Sequence, residues 1–264
     1  MWIAIAHVSL GLLAALALAL RASAEETQDG TASWLPPGAY RLEMRVAANA
    51  SLPWFGHAET VTTSTSWVEI DREGGKLVQR HQVCEVHDAA RTRWRGLTYP
   101  RALVESLPTT EVRPVLEESA DGLAYQADLG REWLGTAPGE SLPRKADDPR
   151  VQDTDGDGRP GVTLRLHVLI GEAELLVAQR TRAVLKGTVV SPGRVTGRVE
   201  MREFAQAILE ASPHFLRFTP DVHYDPERST FELVRDDDAG CAARAAGTQA
   251  VAVNPSGDRV PAPR

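Results

Sequence analysis

The sequence predicts a mostly β protein, a single antiparallel β-barrel-like domain, with a two-sheet β-sandwich as the alternative. Two observations support this fold class. Apolar and polar side chains alternate with a period of two in several segments, as in half-buried strands. Residues typical of turns, such as glycine, proline and aspartate, separate these segments. Long strands whose edges need partners favour a curled sheet over a sandwich.

The first half of the predicted domain contains a strand and a hairpin. Apolar residues occupy every second position from Tyr40 to Val46. The segment 59–70 is rich in β-branched residues, which favour strands, and 76–87 continues an extended pattern. The sequence DREGG lies between them at 71–75. This order predicts a hairpin with a five-residue connection.

The second half predicts a three-stranded antiparallel meander followed by a short helix. We expect the strands at 162–169, 173–191 and 194–202, with turn residues between them. The period changes at 203–212, where apolar residues have helical spacing, and Pro213 follows. Because proline ends helices, one short helix near 203–212 is expected to pack on the sheet. A final strand is expected at 229–234.

The two ends of the chain differ from the predicted β domain at 38–241. Residues 1–24 contain an apolar run followed by Ala22-Ser23-Ala24, which is typical of a cleaved secretory signal. The run is too short to cross a bilayer. Residues 25–37 form a polar lead-in, and 242–264 are expected to be a disordered tail. The sequence therefore predicts an exported protein, periplasmic or extracellular, without a transmembrane segment in the mature chain.

The only two cysteines are Cys84 and Cys241, and in an exported protein they predict a disulfide. Free buried thiols are one alternative. A metal site is another, because His81 and His87 flank Cys84 at equal spacing. If this segment is a regular strand, side chains alternate between its faces. Both histidines would then point away from the cysteine, which favours the disulfide.

The motif DTDGDG, which begins at Asp153, lies in a proline-containing segment, 135–161, without regular periodicity. Three carboxylates at alternate positions can converge on one cation, and the glycine at the sixth position permits a tight turn. These six residues resemble the first half of the EF-hand calcium loop and related D-x-D-x-D-G loops. The resemblance implies a structural Ca²⁺ site with these ligands: Asp153, Asp155, Asp157 and the backbone oxygen of Arg159.

The second half of the motif departs from the EF-hand. Leu164 replaces the bidentate glutamate, and the flanking residues predict loop and strand where an EF-hand has helices. Further carboxylates would have to come from elsewhere, and Asp147 and Asp148 are the nearest candidates. The alternative is a polar turn without a cation, because Asp and Gly are common in turns. Both interpretations stay open.

Five arginines lie on the polar faces of the predicted meander. They are Arg165, Arg180, Arg182, Arg198 and Arg202. Such a set predicts an anion-binding face, since guanidinium groups bind carboxylates and phosphates in bidentate geometry. The alternative is a solvated face in which acidic residues neutralise the arginines.

Three classes of function remain after this survey. A net charge of −7 argues against nucleic-acid binding, and none of the common catalytic motifs is present, so no catalytic residue is assigned. The first class is a binding module that holds a small apolar ligand or lipid inside a barrel. The second is a structural or interaction protein of the envelope or secreted fraction without a ligand cavity. The third is a hydrolase whose catalytic residues meet only in the fold.

Overall fold

The computed structural model describes residues 34–52, 56–90, 96–120, 122–168, 171–237 and 240–241. The predicted signal at 1–24 and the predicted tail at 242–264 lie outside the described residues, as does most of the lead-in. Among the described residues, no helix has the length and apolar character that crossing a lipid bilayer requires.

The described chain consists mainly of long β-strands. They are β1 (Gly38–Leu52), β2 (Gly56–Glu73), β3 (Lys76–Ala90), β4 (Gly96–Thr98), β5 (Thr110–Val112), β6 (Val115–Ser119), β7 (Gly122–Leu134), β8 (Val162–Val168), β9 (Gly171–Ser191), β10 (Arg194–Ser212) and β11 (Asp221–Arg235). A short helix, α1 (Arg101–Ser106), follows β4, and a 3-10 turn, His214–Leu216, follows β10.

All the strands belong to one antiparallel sheet that curls into a half-barrel. The order along the sheet is β4-β8-β9-β10-β11-β1-β2-β3-β5, and β7 also pairs with β9 and carries β6 on its other side. The predicted mostly β, barrel-like fold class is therefore confirmed. The predicted meander is also present as β8, β9 and β10.

The hairpin between β2 and β3 is tighter than predicted. Gly74 and Gly75 alone form the turn, and Glu73 pairs with Lys76. Both glycines have positive φ, 58° and 80°. Two-residue hairpin turns with positive φ at both positions match the right-handed twist of the strands. The strands therefore extend into residues 71–73, which the sequence had suggested belonged to the connection.

The predicted helix at 203–212 is wrong, because these residues form the second half of β10. Two register shifts, at Met201/Glu203 and Ile208/Glu210, interrupt the alternation of this strand against β9. Both faces of the strand are also covered. Ile208 packs into the interior, whereas Leu209 packs outside against Leu142 and Val151 of the long connection. Apolar residues on both faces, displaced by β-bulges, produced the apparent helical spacing.

The 135–161 connection is a loop, as predicted, and it leaves the sheet in the gap between β7 and β8. Both of these strands pair with β9, β7 at residues 179–189 and β8 at 171–177. At the gap, Gly135 and Gly161 both have positive φ and approach the carbonyl oxygen of Val177. A Cβ atom would lie 2.3 Å and 2.8 Å from that oxygen, respectively. Glycine is thus required where the loop leaves and re-enters the sheet.

A second pair of glycines lies at the centre of the sheet. Gly187 of β9 and Gly197 of β10 face each other across the ladder. A Cβ on Gly197 would lie 2.2 Å from the carbonyl oxygen of Lys186 and 2.7 Å from the ring of Phe231. Glycines in strand interiors mark close backbone approach and strong bending. This pair lets two long strands coil tightly while an aromatic ring covers them.

The disulfide between Cys84 and Cys241 is confirmed, with a Cα–Cα distance of 5.0 Å. It closes a loop of 157 residues, which on the chain-entropy model contributes roughly 5 kcal/mol to stability. A register shift opposite Thr65/Ser66 makes Cys84 an extra residue in β3. As a result His81 is buried, whereas His87 is exposed, so the regular alternation expected for this segment does not hold.

We predict that replacing Gly197 by alanine destabilises the fold by about 2 kcal/mol, because the new methyl group must displace backbone or an aromatic ring. Chemical denaturation of the variant measures this loss. The matched control is Gly240→Ala, since no atom lies within 4 Å of a Cβ at that position. Equal stability of the two variants would contradict the role assigned to the glycine pair.

Candidate functional site

The interior of the half-barrel contains a cavity of about 690 Å³. Its wall is formed by the inner faces of the strands, by α1 and by the residues around Phe218. Apolar side chains, chiefly leucine, valine and alanine, make up the larger part of the lining, and threonine, serine, glutamine and a few ionisable side chains make up the rest. Proteins usually bind small molecules in such largely apolar, preformed spaces.

A gradient of side-chain size along β1 and β2 creates the cavity. The cross-strand pairs on the inner face run from Tyr40–Val68 through Leu42–Ser66, Met44–Ser64, Val46–Thr62 and Ala48–Thr60 to Ala50–Ala58. At the first pair the interior is filled, because Tyr40 and Val68 are fully buried in a core with Phe231. At the last pair two methyl groups face the space. Large side chains thus close one end, and small ones leave the other end open.

The filled end also contains a buried polar network. The Tyr125 hydroxyl donates to Oε1 of Gln79 (2.9 Å), and Nε2 of His81 lies 3.1 Å from the same oxygen. Because a carbonyl oxygen can only accept, Nε2 of His81 carries the hydrogen. Burial lowers the pKa of His81 to about 4, so the ring is neutral at neutral pH. His81 thereby presents a neutral polar group where the core meets the cavity.

A second polar cluster lies where the two edges of the curled sheet approach each other. Asp88 of β3 accepts hydrogen bonds from Thr62 Oγ1 (3.0 Å) and from the backbone N–H of Leu97 in β4 (3.1 Å). Burial raises the pKa of Asp88. Burial also raises the pKa of Tyr99 to about 12, and the charge of Asp88 raises it further. All four residues line the cavity.

The acidic loop is tightly organised around Asp153. Its Oδ1 accepts from the N–H groups of Gly156 (2.7 Å) and Asp157 (3.2 Å), and its Oδ2 accepts from Gly158 (2.9 Å). These backbone hydrogen bonds, chiefly that from Gly158, lower the pKa of Asp153. The loop therefore folds around an ionised carboxylate at its first position.

The other two carboxylates of the loop are held by Thr163 at the start of β8. Its N–H donates to Asp155 Oδ2 (2.9 Å), and its hydroxyl donates to Asp157 Oδ2. Ligand oxygens of Asp153, Asp155 and Asp157 lie within 4.8 Å of one another. This acidic triad could hold a metal ion, as the motif predicts.

One atom of the triad lacks a partner in the described part of the molecule. Asp155 is only 6% exposed, yet its Oδ1 accepts no hydrogen bond. Burial raises the pKa of Asp155, and the charge of Asp157 adds to this effect. A buried, unpaired carboxylate oxygen is costly unless a cation or donor satisfies it. A metal ion bound by the triad could satisfy this oxygen.

The further carboxylates expected at this site are not part of the triad. Both oxygens of Asp148 bond to Arg150 instead, which lowers the pKa of Asp148 to about 2. Asp147 is exposed and lies outside the cluster of mutually close ligand atoms. The Arg159 side chain pairs with Glu174 (2.8 Å). Its backbone oxygen stays a predicted ligand.

The acidic loop adjoins the cavity through the neck of the 135–161 connection, which we define as Gly135, Gln152 and Thr154. Thr154 lies between two of the aspartates, and both Thr154 and Gln152 line the cavity. The Thr154 hydroxyl accepts from the N–H of Gly135 (2.8 Å), and Gln152 N–H donates to the carbonyl of Gly135 (3.2 Å). Part of the cavity wall is therefore built by residues next to the triad in the chain.

Four of the five predicted anion-binding arginines have acidic partners. Arg180 pairs with Glu203, Arg182 with Asp128, Arg198 with Glu227 and Arg202 with Glu200. Arg165 lies apart from them on β8, opposite Glu174 in the ladder. An external anion would have to compete with these carboxylates, so the anion-binding face stays a prediction.

A hydroxyl, an imidazole and a carboxylate do meet on the outer face of the sheet. Thr98 Oγ1 lies 2.6 Å from Nε2 of His167, whose Nδ1 lies 3.2 Å from Glu172 Oε1. None of the three lines the interior cavity. A catalytic role would require a substrate pocket beside the hydroxyl, and within the described chain this row lies on exposed sheet.

The sequence survey missed the residues that shape and polarise the cavity, above all the small residues of β1 and β2 and the pair Thr62 and Asp88. The gradient from Tyr40 to Ala50 could have signalled the cavity, since it is visible in the sequence. The position of Asp88 could not be inferred, because the bulge at Cys84 changes which residues of β3 face inwards.

Comparison with known proteins adds no relative. No family model matches the chain, and neither a curated protein nor a solved structure matches it significantly. The protein is therefore classified by its architecture alone. It is a curled antiparallel half-barrel with an interior cavity and an acidic loop beside it.

We predict that His81 makes the protein less stable as the pH falls. The folded-state pKa is lowered from 6.5 to about 4, so the unfolded chain binds the proton more readily between these values. Stability should fall by up to about 3 kcal/mol as the pH drops through this window. Urea denaturation at several pH values measures the slope. His81→Gln, which cannot titrate, should show a shallower slope, and an unchanged slope would contradict the assignment.

Proposed function

We propose that this protein is a binding module that holds a small apolar ligand or a lipid in the interior of its half-barrel. The observation that supports this most directly is the cavity itself, with a volume of about 690 Å³. Small-molecule sites usually measure roughly 300–1,000 Å³ and combine an apolar lining with a few polar groups. The wall has this character.

The size gradient along the strands gives independent support. A structural protein gains stability by filling its core, because each cavity costs packing energy. In this chain one end of the sheet is packed with large side chains, whereas Ala48, Ala50 and Ala58 leave the other end unfilled. The alternative function, a structural or interaction protein without a ligand cavity, does not account for this gradient.

We further propose that the chain is exported to the periplasm or the extracellular space. The disulfide Cys84–Cys241 supports this location, since disulfides persist in oxidising compartments. A module outside the cytoplasm that encloses an apolar ligand would serve to carry or store it in water.

Binding of an uncharged apolar probe tests the proposed function. N-phenylnaphthylamine should bind to the purified protein with an increase in fluorescence, and a fatty alcohol should displace it. Ser64→Phe, which places a ring in the middle of the cavity wall, should weaken binding about tenfold.

Thr63→Phe is the matched control for this experiment. Thr63 pairs with the exposed residues Arg45 and His87 and therefore belongs to the outer face. The control should bind the probe as the unaltered protein does. Absence of probe binding, or equal loss in both variants, would refute an interior site.

We also propose that the acidic triad binds Ca²⁺ in a structural role. The support is the buried and unpaired Oδ1 of Asp155 within a cluster of three carboxylates. The bound cation would neutralise the repulsion within the triad and fasten the neck of the 135–161 connection, which forms part of the cavity wall. With few protein ligands, such a site would complete its coordination with water.

Thermal melting with Ca²⁺ and with a chelator tests this second proposal. Ca²⁺ about 100-fold above its dissociation constant should stabilise the fold by about 3 kcal/mol. Asp155→Asn should abolish the difference, whereas Asp147→Asn, at an exposed aspartate outside the triad, should keep it. Identical melting of the unaltered protein in both solutions would leave the motif as a polar turn.

A further inference from the structure

The ionisable side chains on the cavity wall do not balance in charge. They are His81, Asp88, Tyr99, Arg131, Glu132 and Tyr224. Arg131 already pairs with Glu203 (2.8 Å), and His81 is neutral because burial lowers its pKa. Asp88 and Glu132 form no ion pair with any described basic residue. Because Glu132 is exposed, the uncompensated charge that faces the apolar space is that of Asp88.

Asp88 is the carboxylate best placed to bind a ligand group. Its two oxygens each accept one hydrogen bond, from Thr62 and from Leu97, which fixes the orientation of the carboxylate. An ionised carboxylate can accept about four hydrogen bonds, so acceptor capacity remains on both oxygens. A desolvated carboxylate is unfavourable without a cation beside it, and a cationic ligand would relieve that cost.

Aromatic rings line the same cavity. Phe204 and Tyr224 form an edge-to-face pair with centroids 5.3 Å apart. Tyr99 lines the cavity together with this pair and with Asp88, and the charge of Asp88 contributes to the raised pKa of Tyr99. Aromatic rings attract organic cations through their electron-rich faces. A carboxylate with aromatic neighbours in an apolar cavity is suited to an ammonium group.

We propose that the cavity selects amphiphilic organic cations, that is, ligands with an apolar body and an ammonium group, and that Asp88 binds the ammonium group. This inference rests on the proposed function, since it names the ligand class of the same cavity. The apolar body occupies the space beside the small residues of β1 and β2. A fatty acid, whose carboxylate would meet the carboxylate of Asp88, is disfavoured by charge repulsion.

Three ligands with the same hydrocarbon chain test the proposal on the unaltered protein. Dodecylamine, dodecanol and dodecanoate compete with N-phenylnaphthylamine at neutral pH. Dodecylamine should displace the probe at roughly tenfold lower concentration than dodecanol, because it adds a charge-assisted hydrogen bond, and dodecanoate should be the weakest. Dodecanoate equal to or better than dodecylamine would overturn the proposal.

Asp88→Asn tests the residue itself. The amide can donate to Thr62 Oγ1 and accept from Leu97 N–H, so the local contacts are kept while the charge is lost. Dodecylamine should then bind no better than dodecanol, and the affinity for dodecanol should not change. The control is Glu132→Gln, which removes the other carboxylate of the wall that has no ion pair. This variant should keep the preference for dodecylamine over dodecanol. An unaltered preference for dodecylamine in Asp88→Asn would refute the role of Asp88.

The outcomes separate the two proposals. If the probe and all three ligands fail to bind, the proposed function is wrong. If the probe and dodecanol bind but dodecylamine has no advantage, only the ligand class is wrong. Since the comparison of the three ligands needs no variant, it remains decisive even if Asp88→Asn does not fold.

Discussion

A single sheet must cover its own apolar face, because no second layer formed by the described residues packs over most of it. The sheet meets this constraint by curling until β3 approaches β4, where Asp88 accepts from Leu97 N–H. Side chains then have to fill the enclosed volume. They do so around Tyr40 and Phe231, but not around Ala50 and Ala58. The cavity is thus a consequence of where the sequence places large and small residues on a curled sheet.

Curling in turn depends on local breaks in regular strand geometry. The Gly187–Gly197 pair allows close backbone approach, and β-bulges in β3 and β10 redirect the side chains that follow them. The bulge at Cys84 has two effects. It turns the cysteine towards Cys241, and it leaves Asp88 on the inner face. The covalent link and the charged group of the cavity therefore share one structural origin.

Most of the architecture follows from the sequence, because alternation and turn residues are local signals. The meander and the hairpin follow from these signals, and the disulfide follows from the presence of only two cysteines. The strand conformation of the segment 203–212 could not be predicted from local signals. Its second apolar face is covered by Leu142 and Val151, which are distant in sequence. The acidic triad could be inferred from six consecutive residues. The orientation of Asp88 could not, since it depends on the bulge in β3, whereas the size gradient that opens the cavity is visible in the sequence.

The neck of the 135–161 connection would couple the two proposed sites, so that binding at one site changes the affinity at the other. Thr154 belongs to the acidic loop and to the wall of the cavity, so the proposed cation and the proposed ligand would lie beside one continuous piece of backbone. The factor by which a bound cation changes the affinity for the ligand equals the factor by which the bound ligand changes the affinity for the cation. This holds because the binding free energies around a closed cycle sum to zero. Under the two proposed binding functions, a change in Ca²⁺ concentration would therefore alter the affinity for the apolar ligand to the extent that the ligand alters the affinity for Ca²⁺.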